Sequence, residues 1–360
     1  MTESVETPKK NLFKRGRKSK NRIWELDFLR GISIVLMCID HLFFDVADMF
    51  REWEMSDNAF LRSFSHAAWR YMGSTMDSII IPMNLMQLCE YVFLLCLIVF
   101  VTISFLIALR HKSVTKEDKQ NYIFTLVLSL VVLIALIIDN NVQEYHPHLD
   151  DLHSLREFIH PIVLWIFFFL CGLSCRFSRN NIKRTIEIAV CAGLISLFTY
   201  LAEIVLDVEG LFVKFGVLHM LAVSVFLCTV IELVCKLIFK DENKRKWANT
   251  IIFLALGIVL YVLNQYFYDA TVPQIQGLTW LHYSFGILES DWFTVCESTS
   301  IVFFGAALAP FVYPKKESLF PKLQVVNKGF FTFMGRHTLI VVLLHQPIIF
   351  GILSLINLAA

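Results

Sequence analysis

Charge is scarce in this chain. Asp, Glu, Lys and Arg supply 18% of its 360 residues, hydrophobic residues supply 56%, and mean hydropathy is +0.62. That balance excludes an ordinary soluble domain, in which about a quarter of residues are charged. The net charge of +1 excludes a basic nucleic-acid-binding face, because the Lys and Arg residues cluster beside apolar runs instead. There is no internal repeat and no zinc-type Cys/His spacing. Cys38, Cys89, Cys96, Cys171, Cys175, Cys191, Cys228 and Cys235 lie inside apolar stretches and Cys296 at the edge of another, so they read as small core hydrophobes and not as a disulfide set. No small-residue cleavage site follows the first apolar run. Residues 1–22 are therefore expected to persist as a basic, disordered cytoplasmic arm against anionic lipid.

What the chain has is apolar stretches of membrane length. About nine candidates of roughly 20 residues each run over Leu26–Val46, Leu85–Leu109, Ile123–Ile138, Phe158–Cys175, Ile186–Leu206, Phe212–Leu233, Ile251–Tyr268, Phe293–Val312 and Thr338–Leu358. With the N-terminus inside, the cytoplasmic segments take Lys9 to Arg22, Arg110 to Lys119, Arg176 to Arg184, Lys236 to Lys246 and Lys315 to Arg336. Only Arg51, Arg62, Arg70, Arg156 and Lys214 fall outside. The positive-inside rule thus predicts an all-α, multi-pass bundle of about nine spans, N-terminus in and C-terminus out, in a cell membrane. Residues 23–360 form its single domain.

The first span keeps Asp27, Arg30, Asp40, His41 and Asp45. At 100° per residue from Arg30, His41 falls at about +20°, Asp27 and Asp45 at about +60° and Asp48 at about 0°. Ionisable side chains are costly in hydrocarbon, so this narrow stripe must face a bundle interior or a wet cavity, where such residues are usually functional. Between the first two spans, Trp53, Phe60, Phe64, His66, Trp69 and Tyr71 could cover a cavity mouth and bind sugar faces, or form an interfacial helix. The loop holding His146, His148, Asp150, Asp151 and His153 reads better as a solvated acidic loop than as a metal site, and no metal is expected. His219 follows Lys214-Phe215-Gly216-Val217-Leu218 near the outer end of the sixth span. His337 and His345 belong to the Gly335–Pro347 stretch that enters the last one. There Pro347 removes a backbone donor, and His345 and Gln346 need partners in hydrocarbon.

Glu25 to His41, Lys214 to His219, Phe333-Met334-Gly335-Arg336-His337 and His345-Gln346-Pro347 together resemble the bacterial DUF1624 proteins, which are similar to the catalytic domain of heparan-alpha-glucosaminide N-acetyltransferase. The Arg30-x10-His41 spacing also resembles that of the acyltransferase-3 membrane enzymes. The resemblance implies a membrane enzyme that takes an acyl group, acetyl by default, from cytoplasmic acyl-CoA and delivers it to a sugar on the other side. Two departures stand out: two extra spans within about residues 82–139, and His66-Ala67-Ala68-Trp69 where the heparan enzyme has its luminal catalytic histidine in a His-Ala-Ser-Trp setting.

On that footing the site residues take roles. Arg30, with Asp27, Arg336 and His337 near it on the cytoplasmic side, would bind acetyl-CoA, a task suited to a planar, always-charged guanidinium. His41 lies about 16 Å further along the helix, room for an extended pantetheine arm. It would deprotonate the acceptor or carry the acyl group, with Asp45 orienting its ring. His345 and Gln346 would polarise the thioester carbonyl. His66 is a second catalytic candidate, and His219 and Trp69 are candidate contacts to the glycan or cell-envelope acceptor. The alternatives are an Asp27–Arg30 pair that is merely structural, and a transporter or flippase of a polar metabolite or lipid-linked sugar.

Overall fold

The computed structural model of the chain describes residues 23–73, 80–82, 123, 127, 152–178, 180–207, 210–268, 291, 293–314, 316–318 and 329–359. In chain order these form α1 (Trp24–Asp48), a 3₁₀ turn (Arg51–Met55), α2 (Ala59–Met72), β1 (Ile80–Pro82), β2 (Leu152–Ser154), α3 (Leu155–Phe177), α4 (Asn181–Leu206), α5 (Val217–Ile238), α6 (Glu242–Tyr268), α7 (Val295–Val312), α8 (Phe330–Arg336) and α9 (Thr338–Ala359). The strands form one short antiparallel pair, and the other regular elements among the described residues are helical. Helices α3 to α7 and α9 are long and apolar enough to cross a membrane. The 25 residues of α1 reach about 37 Å, and only its charges separate it from that set. The arm of residues 1–22 and the expected spans at 85–109 and 123–138 lie outside the described residues, apart from helical positions 123 and 127.

Contacts at both ends fix the helix directions. Arg30 meets Ser174 and Asp40 meets Arg156, so α1 and α3 run antiparallel. Arg30 meets Gly335, Asp45 meets Gln346 and Trp53 meets Asn357, so α1 runs parallel to the α8–α9 segment. The α1–α8 contact is made backbone to backbone: a Cβ built on Gly31 would overlap the Phe331 carbonyl oxygen, and one built on Gly335 would overlap that of Asp27.

The core forms around α7, whose Val302, Phe303, Ala306, Ala307 and Ala309 are buried. Small residues there admit close helix approach, the usual source of packing energy between membrane helices. By contrast α4 leaves Ile186, Val190, Leu197, Phe198 and Leu201 exposed, the face of a span that meets hydrocarbon.

Two expectations change. The sixth span begins at Val217, not Phe212, because Gly216 is an extended N-cap. Residues of the preceding loop are strapped to α4 instead: the Gly210 and Phe212 N–H groups donate to Glu203 Oε2, and Val213 N–H donates to Thr199 Oγ1. Helix α2 also does more than lie in the interface. It folds back along α1, with Phe64 against Trp53 and Phe43 and with Tyr71 reaching Asp40. Its start is fixed by Asn58, whose Oδ1 accepts from the Phe60 N–H at 3.0 Å, and its end by Gly73 at φ 81°.

Candidate active site

At one end of α1 the Arg30 guanidinium is held from three directions. Nη1 donates to Asp27 Oδ1 at 3.1 Å and to the Gly335 carbonyl at 3.3 Å, and Nη2 donates to Ser174 Oγ at 2.6 Å. Asp27 is buried and also faces Arg336 Nε at 3.5 Å. The structural pair between Asp27 and Arg30 is therefore present, but it sits within a larger knot that ties α1, α3 and α8 together. His337, the C-cap of α8, is exposed and stacks on Phe333 with ring centroids 4.6 Å apart.

Farther along, His41 and His345 meet edge to face with centroids 4.9 Å apart. Pairing of parallel α1 and α9 brings them together across more than 300 residues of chain. His345 Nδ1 lies 2.9 Å from the Val342 carbonyl. That carbonyl can only accept, so Nδ1 carries the proton and Nε2 presents a lone pair. Gln346 donates its amide to both oxygens of Asp45, at 2.8 and 2.9 Å. His345 Nε2 and Gln346 Oε1 are left buried without a partner among the described residues. Both leftover atoms are acceptors. They suit a hydroxyl, amine or amide donor, whereas the polarising role expected from sequence calls for a donor toward the thioester carbonyl. Asp45, expected to orient His41, is engaged by Gln346 instead.

Sequence reasoning missed the neighbouring anchor. Asp40 Oδ1 accepts from Tyr71 Oη and Arg156 Nε, both at 2.9 Å, and Asp40 Oδ2 accepts from Arg156 Nη2 at 3.3 Å. His160 Nε2 stands 3.9 Å from Oδ2. Burial and the adjacent carboxylate push the Tyr71 phenol well above its usual range, so it stays a donor. The signal was in the sequence: Asp40 falls at about −80° from Arg30, off the stripe, and points to other helices. A small cavity lined by Asp40, Tyr71, His160 and Met37 lies here. A second, apolar one lined by Ser33, Ile34, Met37, Phe167, Leu218 and Val342 occupies the level between Arg30 and His41.

The remaining candidates lie apart from this face. His66 is on the exposed side of α2, and Trp69, half-buried, has its Nε1 without a partner among the described residues and the Arg51 guanidinium 5.8 Å from its ring. His219 accepts from the Gly216 N–H at Nδ1, 3.2 Å, so its Nε2 is the protonated nitrogen facing Ser196 Oγ, also at 3.2 Å. Ser196 in turn donates to the Val213 carbonyl at 2.7 Å. His219 thus acts as a pin for the 210–216 loop and cannot serve as a base toward Ser196. Among the described residues no group of three or more His, Cys, Asp and Glu side chains could hold a metal ion.

The same corner yields a pH dependence. Asp291, in the loop before α7 with φ 51°, accepts from the Val217 N–H at 3.2 Å, and burial pushes its carboxyl up to about 7. A raised acid favours the protonated folded form, so its contribution is complete below the unfolded value near 3.8 and declines as pH climbs to about 7. The thermal stability of wild type is expected to fall over that interval relative to Asp291→Asn, which keeps the acceptor and tolerates positive φ. Parallel pH profiles for the two proteins would refute this.

A family model described as heparan-alpha-glucosaminide N-acetyltransferase, catalytic, matches residues 22–77 and 122–347, most of the chain and all of the residues just placed. No curated protein and no solved structure matches. The chain, a multi-pass membrane protein by its helices, belongs to the heparan-alpha-glucosaminide N-acetyltransferase catalytic family of membrane acetyltransferases.

Proposed function

We propose that the protein transfers an acetyl group from cytoplasmic acetyl-CoA to a sugar hydroxyl or amine of an extracytoplasmic, cell-envelope glycan. The observation that carries this is the parallel pairing of α1 with α8 and α9. It sets a held guanidinium at Arg30 and, about 16 Å on, two facing imidazoles with buried acceptor atoms to spare. Phosphate or pantetheine amide groups of the donor sit at the Arg30 end with Arg336 and His337. The arm runs past Ser33, Ile34, Met37 and Val342, and the thioester arrives at His41.

Chemistry follows from the tautomers. The acceptor O–H or N–H gives its proton to His345 Nε2, whose ring is held by the Val342 carbonyl. The freed lone pair attacks the thioester carbon. Among the described residues no hydrogen bond fixes the tautomer of His41, so it can turn an N–H toward the oxyanion that forms. Collapse breaks the C–S bond, and the CoA thiolate takes the proton back from His345. Asp40, Tyr71 and Arg156 hold the wall behind His41. Trp69 and the exposed His66 on α2 offer the acceptor its first contacts.

The test is transfer of radiolabelled acetyl from acetyl-CoA to envelope glycans by purified protein in vesicles. Label should reach glycan on the face opposite the donor. Unlabelled glycan in every envelope fraction tried, with the thioester intact, would remove the proposal.

A further inference from the structure

Arg184 is a guanidinium without a carboxylate. It stands in the first turn of α4 and folds onto α3, where Nη2 donates to Cys171 Sγ at 3.2 Å and Nη1 to Cys175 Sγ at 3.7 Å. Thiols in apolar surroundings are weak, uncharged acceptors. No ion pair to Arg184 occurs among the described residues. Its neighbours are supplied: Arg176 lies 2.6 Å from Glu232, and Arg30 and Arg336 both lean on Asp27. Among the described residues Arg184 has thiols where these neighbours have carboxylates.

Its location adds the second half of the case. Arg30 donates to Ser174, and Cys171, Ser174 and Cys175 share two turns of one face of α3. Helices α1 and α4 therefore lay two guanidiniums against the same patch, one on each side. A partly buried cation held only by thiols is an unstable arrangement unless an anion joins it. Exchange of two sulfur contacts for a phosphate gives a planar fork the charge-assisted, bidentate bonds it is shaped for.

We propose that Arg184 is a phosphate-binding residue that holds the diphosphate or ribose phosphate of the acyl-CoA donor beside Arg30. This rests on the acyltransferase proposal above. Calorimetric titration of detergent-solubilised wild type and Arg184→Met with CoA, and with S-acetylpantetheine, tests it, because the second ligand has the arm but no phosphate. The variant should lose CoA affinity by roughly tenfold or more, keep its affinity for S-acetylpantetheine, and show an unchanged or higher ligand-free Tm, since a lone buried charge has been removed. Arg184→Lys should recover part of the CoA affinity.

Equal losses for both ligands, or unchanged CoA affinity, would overturn the assignment. A lower ligand-free Tm with CoA affinity intact would make Arg184 structural. Loss of stabilisation by phosphatidylglycerol nanodiscs, with CoA affinity intact, would assign the cation to a lipid headgroup and also overturn it. Wild type that binds no CoA at all would instead defeat the underlying acyltransferase proposal.

Discussion

Replacing His345 with alanine should reduce single-turnover acetyl transfer by roughly 10²- to 10⁴-fold, the usual contribution of a positioned general base. CoA affinity should stay within about twofold, because the donor's charged end lies about 16 Å away at Arg30. The split follows from the ring itself. Its Nδ1 is committed to the Val342 carbonyl and its Nε2 is buried with nothing to bind, so truncation removes a catalytic lone pair and no listener for CoA. His41→Ala should also slow transfer, since the oxyanion then loses its nearest N–H. Transfer by His345→Ala within tenfold of wild type would remove His345 from the chemistry. Parallel loss of CoA binding would show instead that the helix had moved.

The second large effect is expected at Gly335. Alanine there drives a Cβ into the Asp27 carbonyl of α1, and because the obstacle is backbone, no side-chain rotation relieves it. The two helices must separate. The Arg30 bond to the Gly335 carbonyl and the Asp27–Arg336 pair then loosen together. Overpacking of this kind costs about 1–3 kcal/mol or more, and here CoA binding should fall with stability, since Arg30 loses its seat. Thermal unfolding in detergent and CoA titration measure both. A Gly335→Ala protein as stable as wild type would mean the α1–α8 contact is looser than described.

Much of this architecture was legible in the sequence. Long apolar runs are a one-dimensional property, so α3 to α5, α7 and α9 could be located to within about five residues of their ends, whereas α6 begins at Glu242, nine residues before its apolar run, because its first turns are polar. Helical periodicity placed Arg30, His41 and Asp45 on one side of α1, and that side does meet α8 and α9. What periodicity cannot express is which helix lies opposite. The angle of Asp40 set it off the stripe, but only the structure shows that Arg156 and Tyr71, from two other helices, converge on it. Likewise His345 and Gln346 announced themselves as polar groups in hydrocarbon. Their roles depend on which ring nitrogen holds hydrogen and which amide atom is spent on Asp45, facts that belong to three-dimensional neighbours. Arg184 was merely one of several basic residues at a span boundary, because a thiol contact leaves no trace in a charge pattern.

The parallel seam between α1 and α9 also dictates an order of events during biosynthesis. The amide that satisfies Asp45 belongs to Gln346, 301 residues later in the chain, which at translation rates of about 5–20 residues per second means a wait of roughly 15–60 s. Throughout that interval α1 carries a carboxylate at Asp45 whose amide partner has not been made. A bare carboxylate is costly in hydrocarbon, so α1 must keep access to water or to a chaperone until α9 emerges beside it.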